Sequence, residues 1–163
     1  MASAVAAISP VRGVINIDQP LRLSGFKAGL SQLEPMLRGD DESFQQAMGM
    51  LFAAMEGPLP AAEVERLHHQ RRANQEVVLA TWASVFDSTE AELDATVAAL
   101  AGGITVPYLA LHGIDPGPDY APWLQGLVPS AVVEVWPDLG HYPQLVEPER
   151  FLARLAEFES TLA

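Results

Sequence analysis

Strand-like and helix-like segments alternate after residue 103, and this alternation constrains the fold more than any other feature. Residues 105–111 (TVPYLAL) and 131–136 (AVVEVW) are rich in β-branched and other apolar side chains, which predicts two strands. Tyr120 to Leu127 is predicted as a helix between them. Pro148 opens a last helix whose apolar residues recur on one face. This order predicts a parallel sheet with right-handed crossovers.

A third strand is predicted near the N-terminus, at residues 11–17 (VRGVINI), and its apolar character is typical of a strand buried on both faces. Residues 21–103 are helical in pattern. Asp40 and Asp41 are candidate N-caps for one helix, Pro60 is the predicted first residue of the next, and the spacing of Asp87 and Glu90 predicts a capping box. We therefore predict an α/β fold. A parallel sheet of about three strands, from residues 1–20 and 104–163, would carry a helical insertion at residues 21–103.

Composition limits the classes of partner and site. Apolar residues make up 49% of the chain, which is enough for a core. The chain has no run of about eighteen apolar residues, so no membrane span is predicted. The alanine-rich start lacks the basic residues of a secretory signal, so we expect a cytoplasmic protein. The net charge of −12 argues against nucleic acid and anionic membranes as partners. Because cysteine is absent, disulfides and thiolate metal sites are excluded.

Polar residues follow all three predicted strands, where ligands bind in open α/β sheets. Asp18 follows the first strand, Asp115 and Asp119 follow the second, and His141 follows the third. A histidine that acts as a base needs a carboxylate on one ring nitrogen, which leaves the other nitrogen to take a proton from a hydroxyl or water. The sequence therefore predicts a pairing of His141 with one of these aspartates.

Three segments resemble the C-terminal half of the α/β-hydrolase proteins, and they occur in the family's order over nearly the whole chain. Residues 106–115 (VPYLALHGID) resemble the strand that enters the acid loop, and residues 12–18 (RGVINID) resemble the sixth strand, after which many members insert a helical cap. Residues 138–143 (DLGHYP) and 147–152 (EPERFL) resemble the histidine loop and the last helix. The resemblance implies a hydrolase acting on an ester or related bond of a small, fairly apolar substrate, with residues 21–103 as the cap and no cofactor.

By this resemblance His141 is the family's catalytic histidine, and three aspartates compete to be its acid. Asp115 ranks first, although fewer residues than is usual in the family separate it from the preceding His-Gly pair. Asp119 ranks second, because a shortened turn would shift the role to it, but it is also a natural helix N-cap. Asp18 ranks third, because in some members the acid follows the sixth strand; otherwise it is a turn residue.

The family's nucleophile motif, Gly-x-Ser-x-Gly, does not occur in the sequence. Ser24 and Ser31 are the nearest candidates, but neither follows a predicted strand directly or opens a helix as the motif requires. The resemblance places the motif just before residue 1, so we expect base and acid without nucleophile or oxyanion hole, and little activity from the chain alone. The competing hypothesis is a non-catalytic module that uses this fold for binding or oligomerisation.

The remaining histidines are predicted to be structural or solvated. His112 ends a strand, a position that is usually structural in the family. His68 and His69 are adjacent on a predicted helix, where neighbouring side chains diverge by about 100°, so they are poorly placed to share a metal ion.

The first predicted strand would lack a neighbour on one side. An unpaired apolar strand edge is a site for pairing with another chain. We therefore expect the chain to associate with its own copy, with a complementary N-terminal half or with a detached segment.

Overall fold

The computed structural model describes residues 2–162, which form a mixed α/β fold around one parallel sheet. The strands are β1 (Val14–Ile17), β2 (Tyr108–His112) and β3 (Ala131–Val135). Their order in the sheet is β1-β2-β3, and both pairings are parallel. The predicted fold class is confirmed.

Helices surround the sheet and fill the long connection between β1 and β2. They are α1 (Ala2–Ile8), α2 (Leu23–Leu30), α3 (Glu34–Leu37), α4 (Asp41–Glu56), α5 (Ala61–Gln70), α6 (Gln75–Asp87), α7 (Glu90–Ala101), α8 (Tyr120–Leu127), α9 (Pro143–Val146) and α10 (Pro148–Ser160). Residues 21–103, which contain α2 to α7, are called the helical segment below. None of the helices among residues 2–162 is long and apolar enough to cross a membrane.

Side-chain caps begin α4, α6 and α7, and the cap of α7 lies two residues beyond its predicted place. Asp40 caps α4 as expected, because its carboxylate accepts the Ser43 N–H at 2.9 Å. The capping box predicted at Asp87 lies instead at Thr89, whose hydroxyl accepts the Glu92 N–H at 3.3 Å while the Glu92 carboxylate accepts the Thr89 N–H at 2.8 Å. That prediction was wrong because Asp87 is still the last residue of α6.

Two apolar clusters account for much of the core. One covers a face of the sheet and includes Val14, Ala101, Tyr108, Ala110, Tyr120, Leu124 and Val128. The other lies within the helical segment and includes Leu30, Leu37, Phe44, Ala47, Met48 and Phe86. All five residues of β2 are buried, so the central strand and the turn that follows it have a fixed position.

Candidate functional site

His141 and Asp18 are in direct contact although 123 residues separate them in sequence. Asp18 is the first residue after β1, and His141 lies in the loop between β3 and α9. The His141 Nδ1 atom lies 2.7 Å from Asp18 Oδ2. The Asp18 side chain is only 4% exposed and that of His141 is 22% exposed, so the pair combines a buried carboxylate with a partly accessible ring.

The turn after β2 orients the Asp18 carboxylate. Asp18 Oδ1 accepts the backbone N–H groups of Gly113 at 2.9 Å and Ile114 at 3.0 Å. The Asp18 backbone has φ = 47°, a left-handed conformation that aspartate adopts more readily than most residues. Its N–H donates to Leu111 O at 2.7 Å, which ties the residue to the end of β2. With one oxygen held by two N–H groups, the other points at His141.

The pKa of Asp18 determines which atom carries the shared proton. Burial raises this pKa, but the hydrogen bonds from His141 Nδ1 and from the backbone of Ile114 and Gly113 outweigh burial and hold it below the usual value. Asp18 is therefore ionised at neutral pH. Because an ionised carboxylate only accepts hydrogen bonds, the proton between the two groups lies on His141 Nδ1.

The second ring nitrogen of His141, Nε2, is not used in the contact with Asp18. Its Nε2 atom has no hydrogen-bond partner within residues 2–162. The backbone of His141 is fixed separately, since its N–H donates to Met55 O at 3.1 Å. In the neutral ring, a proton on Nδ1 leaves Nε2 with a lone pair that can accept a proton.

Asp115 and Asp119, which rank above Asp18 in the sequence analysis, do not contact His141. The carboxylate of Asp115 is exposed and accepts the Gly117 N–H at 2.8 Å, closing a local turn. Asp119 precedes α8 at the N-cap position, but its side chain makes no capping hydrogen bond. Of the three candidate aspartates, the geometry places only Asp18 against His141. The short turn after β2 supplies backbone N–H donors to the Asp18 carboxylate.

His112 is fully buried and faces Tyr120 edge-on, with 4.9 Å between ring centroids. Its Nδ1 atom is 3.8 Å from Asp18 Oδ1, and neither ring nitrogen has a hydrogen-bond partner among the described residues. Burial lowers the pKa of His112, more than the charges of Asp18 and Asp115 raise it. A neutral, packed histidine fits the structural role predicted for it.

The other candidates lie outside the pair. Ser24 is in α2 and donates its hydroxyl proton to Asp94 at 2.9 Å. His68 pairs with Glu56, and His69 is exposed. No group of three or more histidine, aspartate or glutamate residues within residues 2–162 is arranged to hold a metal ion.

An open cavity of about 580 Å³ lies at the loops beside the pair. Its walls come from the turn after α4, the turn after β2 and the loop after β3. The lining residues are Gly57, Pro58, Gly113, Ile114, Asp115, Pro137, Asp138 and Gly140. The cavity therefore lies where the helical segment meets the carboxyl edge of the sheet.

The chain is similar in structure to VinJ, as seen in a crystal structure. The superposition has a TM-score of 0.57 and 20% sequence identity, and it covers 99% of this chain. The chain spans 62% of the length of VinJ. No protein-family model matches the chain, and no curated protein matches it. At this level of identity the likeness shows a shared fold.

Proposed function

We propose that this chain carries the base and the acid of an α/β-hydrolase-type hydrolytic site, with His141 as the base and Asp18 as the acid. The observation that carries the proposal is the 2.7 Å contact between His141 Nδ1 and a buried, ionised Asp18. The sequence resemblance supports it, because the histidine loop and the strand before Asp18 are two of the segments that match the family's order.

The pair can move one proton in each direction during ester hydrolysis. His141 Nε2 takes the proton of a hydroxyl or water while that oxygen forms a bond to the ester carbonyl carbon. The imidazolium is stabilised by Asp18, which keeps the Nδ1 proton in place. When the tetrahedral intermediate collapses, the C–O bond to the alcohol breaks, and Nε2 returns its proton to the leaving oxygen. Attack by water releases the acid directly, whereas an acylated hydroxyl needs a second round of the same steps with water as the attacking group.

The attacking oxygen is not assigned to a serine of this chain. The sequence has no Gly-x-Ser-x-Gly, and Ser24 binds Asp94. The attacking oxygen in this proposal therefore belongs to water or to a nucleophile on another polypeptide segment. The proposed substrate is a small, fairly apolar ester bound in the cavity at the carboxyl edge of the sheet. A fluorophosphonate probe should therefore leave the serines of the purified chain unlabelled. Stoichiometric labelling of one serine would contradict this assignment.

Hydrolysis of a chromogenic short-chain ester by the purified chain tests the proposal. We expect a slow rate above that of buffer, and His141→Gln should leave only the unspecific reaction of the remaining histidines. A positioned base contributes about 10²–10⁴-fold, so the histidine-dependent rate should fall by at least the lower figure. His69→Gln is the matched control, since that exposed histidine reports the unspecific reaction of imidazole with the ester. Equal rates for His141→Gln and the parent chain would refute the base assignment.

A second candidate function is association through the sheet edge, and the geometry of β1 favours it. No strand among residues 2–162 pairs with the outer edge of β1. Alternate N–H groups of a parallel strand point to opposite sides, so those of Ile15 and Ile17 point away from β2. A groove of about 460 Å³ beside this edge is lined by Arg12, Gly13, Ile15, Leu155, Phe158, Glu159 and Leu162. An added strand would find backbone donors and an apolar floor there.

A further inference from the structure

Three glycines pack backbone against backbone where the helical segment contacts the His141 loop. Gly57 follows the last residue of α4, Gly140 precedes His141, and Gly113 follows β2. A Cβ atom on Gly57 would lie 2.8 Å from Gly140 Cα, and one on Gly140 would lie 2.9 Å from Gly57 Cα. A Cβ atom on Gly113 would overlap the carbonyl oxygen of Gly140. None of these positions has room for a side chain unless the backbone moves.

The glycine contacts lie next to two hydrogen bonds of His141, one made by its backbone N–H and one made by its ring. On one side, the His141 N–H donates to Met55 O in the last turn of α4. On the other side, the ring bonds to Asp18, whose carboxylate is held by the N–H of Gly113. The helical segment therefore fixes the backbone of His141 while the sheet fixes its ring.

We propose that Gly57 is a positioning residue for His141, holding the His141 loop against the end of α4 so that Nδ1 stays in contact with Asp18. This inference deepens the proposed function and rests on it for the role of His141 as a base. It implies that a movement of the helical segment, such as one that admits a substrate to the adjoining cavity, also moves the base.

The main alternative role of Gly57 is to end α4, and two other glycines separate the two roles. Gly57 has φ = +56°, which would strain any side chain there whatever it contacts. Gly117 has φ = +96°, but a Cβ atom there would have no neighbour within 4 Å. Gly49 lies within α4 itself, also with open space around its Cβ position. Gly117→Ala therefore also places alanine at a positive φ but without the contact, and Gly49→Ala adds a methyl group on the same helix.

The experiment follows the Asp18 carboxyl carbon by NMR as pH is lowered, in the parent chain and in the three alanine variants. The hydrogen bond from His141 lowers the pKa of Asp18, so losing it should move the titration midpoint upward. We expect this upward shift, with loss of the low-field His141 Nδ1–H signal, in Gly57→Ala only. His112, the other ring facing Asp18, is untouched in all three variants. A folded Gly57→Ala chain with the parent titration and the parent Nδ1–H signal would overturn the proposal.

Amide hydrogen exchange in the parent chain gives a second test that does not need Gly57→Ala to fold. If the end of α4 holds the His141 loop, the His141 amide should exchange with the same opening free energy as the amides in the last turns of α4. Rapid exchange at His141, or protection that follows the β2 amides instead, would overturn the proposal. Neither readout depends on ester hydrolysis, so the positioning role and the hydrolytic function can fail separately.

Discussion

The Asp18 carboxylate is almost without contact with water, and three hydrogen bonds stabilise its ionised form. Two come from backbone N–H groups at the end of β2 and one comes from His141. A buried carboxylate without such donors would take up a proton near neutral pH. The three donors thus keep Asp18 ionised, and the ionised carboxylate in turn selects the tautomer of His141.

Replacing Asp18 by asparagine should invert that tautomer. The amide oxygen can still accept from Gly113 and Ile114, which turns the amide NH₂ group toward His141 Nδ1. Nδ1 then becomes the acceptor and Nε2 carries the proton, so the ring no longer acts as a base. We expect Asp18→Asn to remove the histidine-dependent ester hydrolysis, a loss of about 10²-fold or more, and ¹⁵N NMR to show the proton on Nε2.

Asp115→Asn is the matched control for this substitution. The asparagine oxygen can still accept the Gly117 N–H, and the side chain does not contact His141. Hydrolysis and the His141 tautomer should both stay as in the parent chain. If Asp115→Asn lowered the rate while Asp18→Asn did not, the order suggested by the sequence would be right and the assignment of Asp18 wrong.

Asp18 should also make the folded chain sensitive to acid. Its pKa is lowered in the folded state, so its contribution to the free energy of unfolding is present above the unfolded-state pKa of about 3.9 and is lost as pH falls through the folded-state value. Urea unfolding from about pH 6 down to about pH 2 measures this slope. Asp18→Asn should lose less stability over this range than the parent chain.

Some acid sensitivity should persist in Asp18→Asn. The pKa values of Asp40, Glu56 and Glu92 are also lowered, by hydrogen bonds that the substitution does not touch. The prediction concerns the difference between the two chains. Parallel plots of the free energy of unfolding against pH would contradict it.

At the scale of elements, local patterns predict the strands and the starts of α4, α8 and α10, but they do not show which strand ends are neighbours. β1, β2 and β3 lie within the segments predicted as strands, apart from the last residue of β2, and His141 lies in the predicted loop after β3. Which aspartate contacts His141 depends on the order of the strands in the sheet. β1 lies beside β2, so that the turn at Gly113 reaches Asp18.

The sequence carried a partial signal for this arrangement. The short interval between Gly113 and Asp115 was the sequence feature that counted against Asp115 as the partner of His141. The left-handed backbone of Asp18 and the contact between Gly57 and Gly140 are tertiary features. They depend on where the helical segment packs against the sheet, and local sequence patterns do not predict that packing.

For the whole molecule, the sheet edge and the net charge have opposite effects on self-association. The open edge of β1 favours association, but a charge of −12 makes copies of the chain repel one another. Salt screens this repulsion over about 10 Å at 0.1 M ionic strength and leaves backbone pairing and apolar contacts largely intact. Self-association of the purified chain should therefore strengthen as salt is added.

Sedimentation velocity over a range of protein concentrations, at low and at moderate salt, measures this association. Ile15→Lys places a charge on β1 beside the groove and should shift the chain toward monomer. Val132→Lys, at a 48% exposed position on β3, is the control that should leave association unchanged. A parent chain that stays monomeric at all salt concentrations would exclude association with its own copy. If Val132→Lys dissociated the complex and Ile15→Lys did not, the interface would lie at β3, and the open edge of β1 would no longer support the second candidate function.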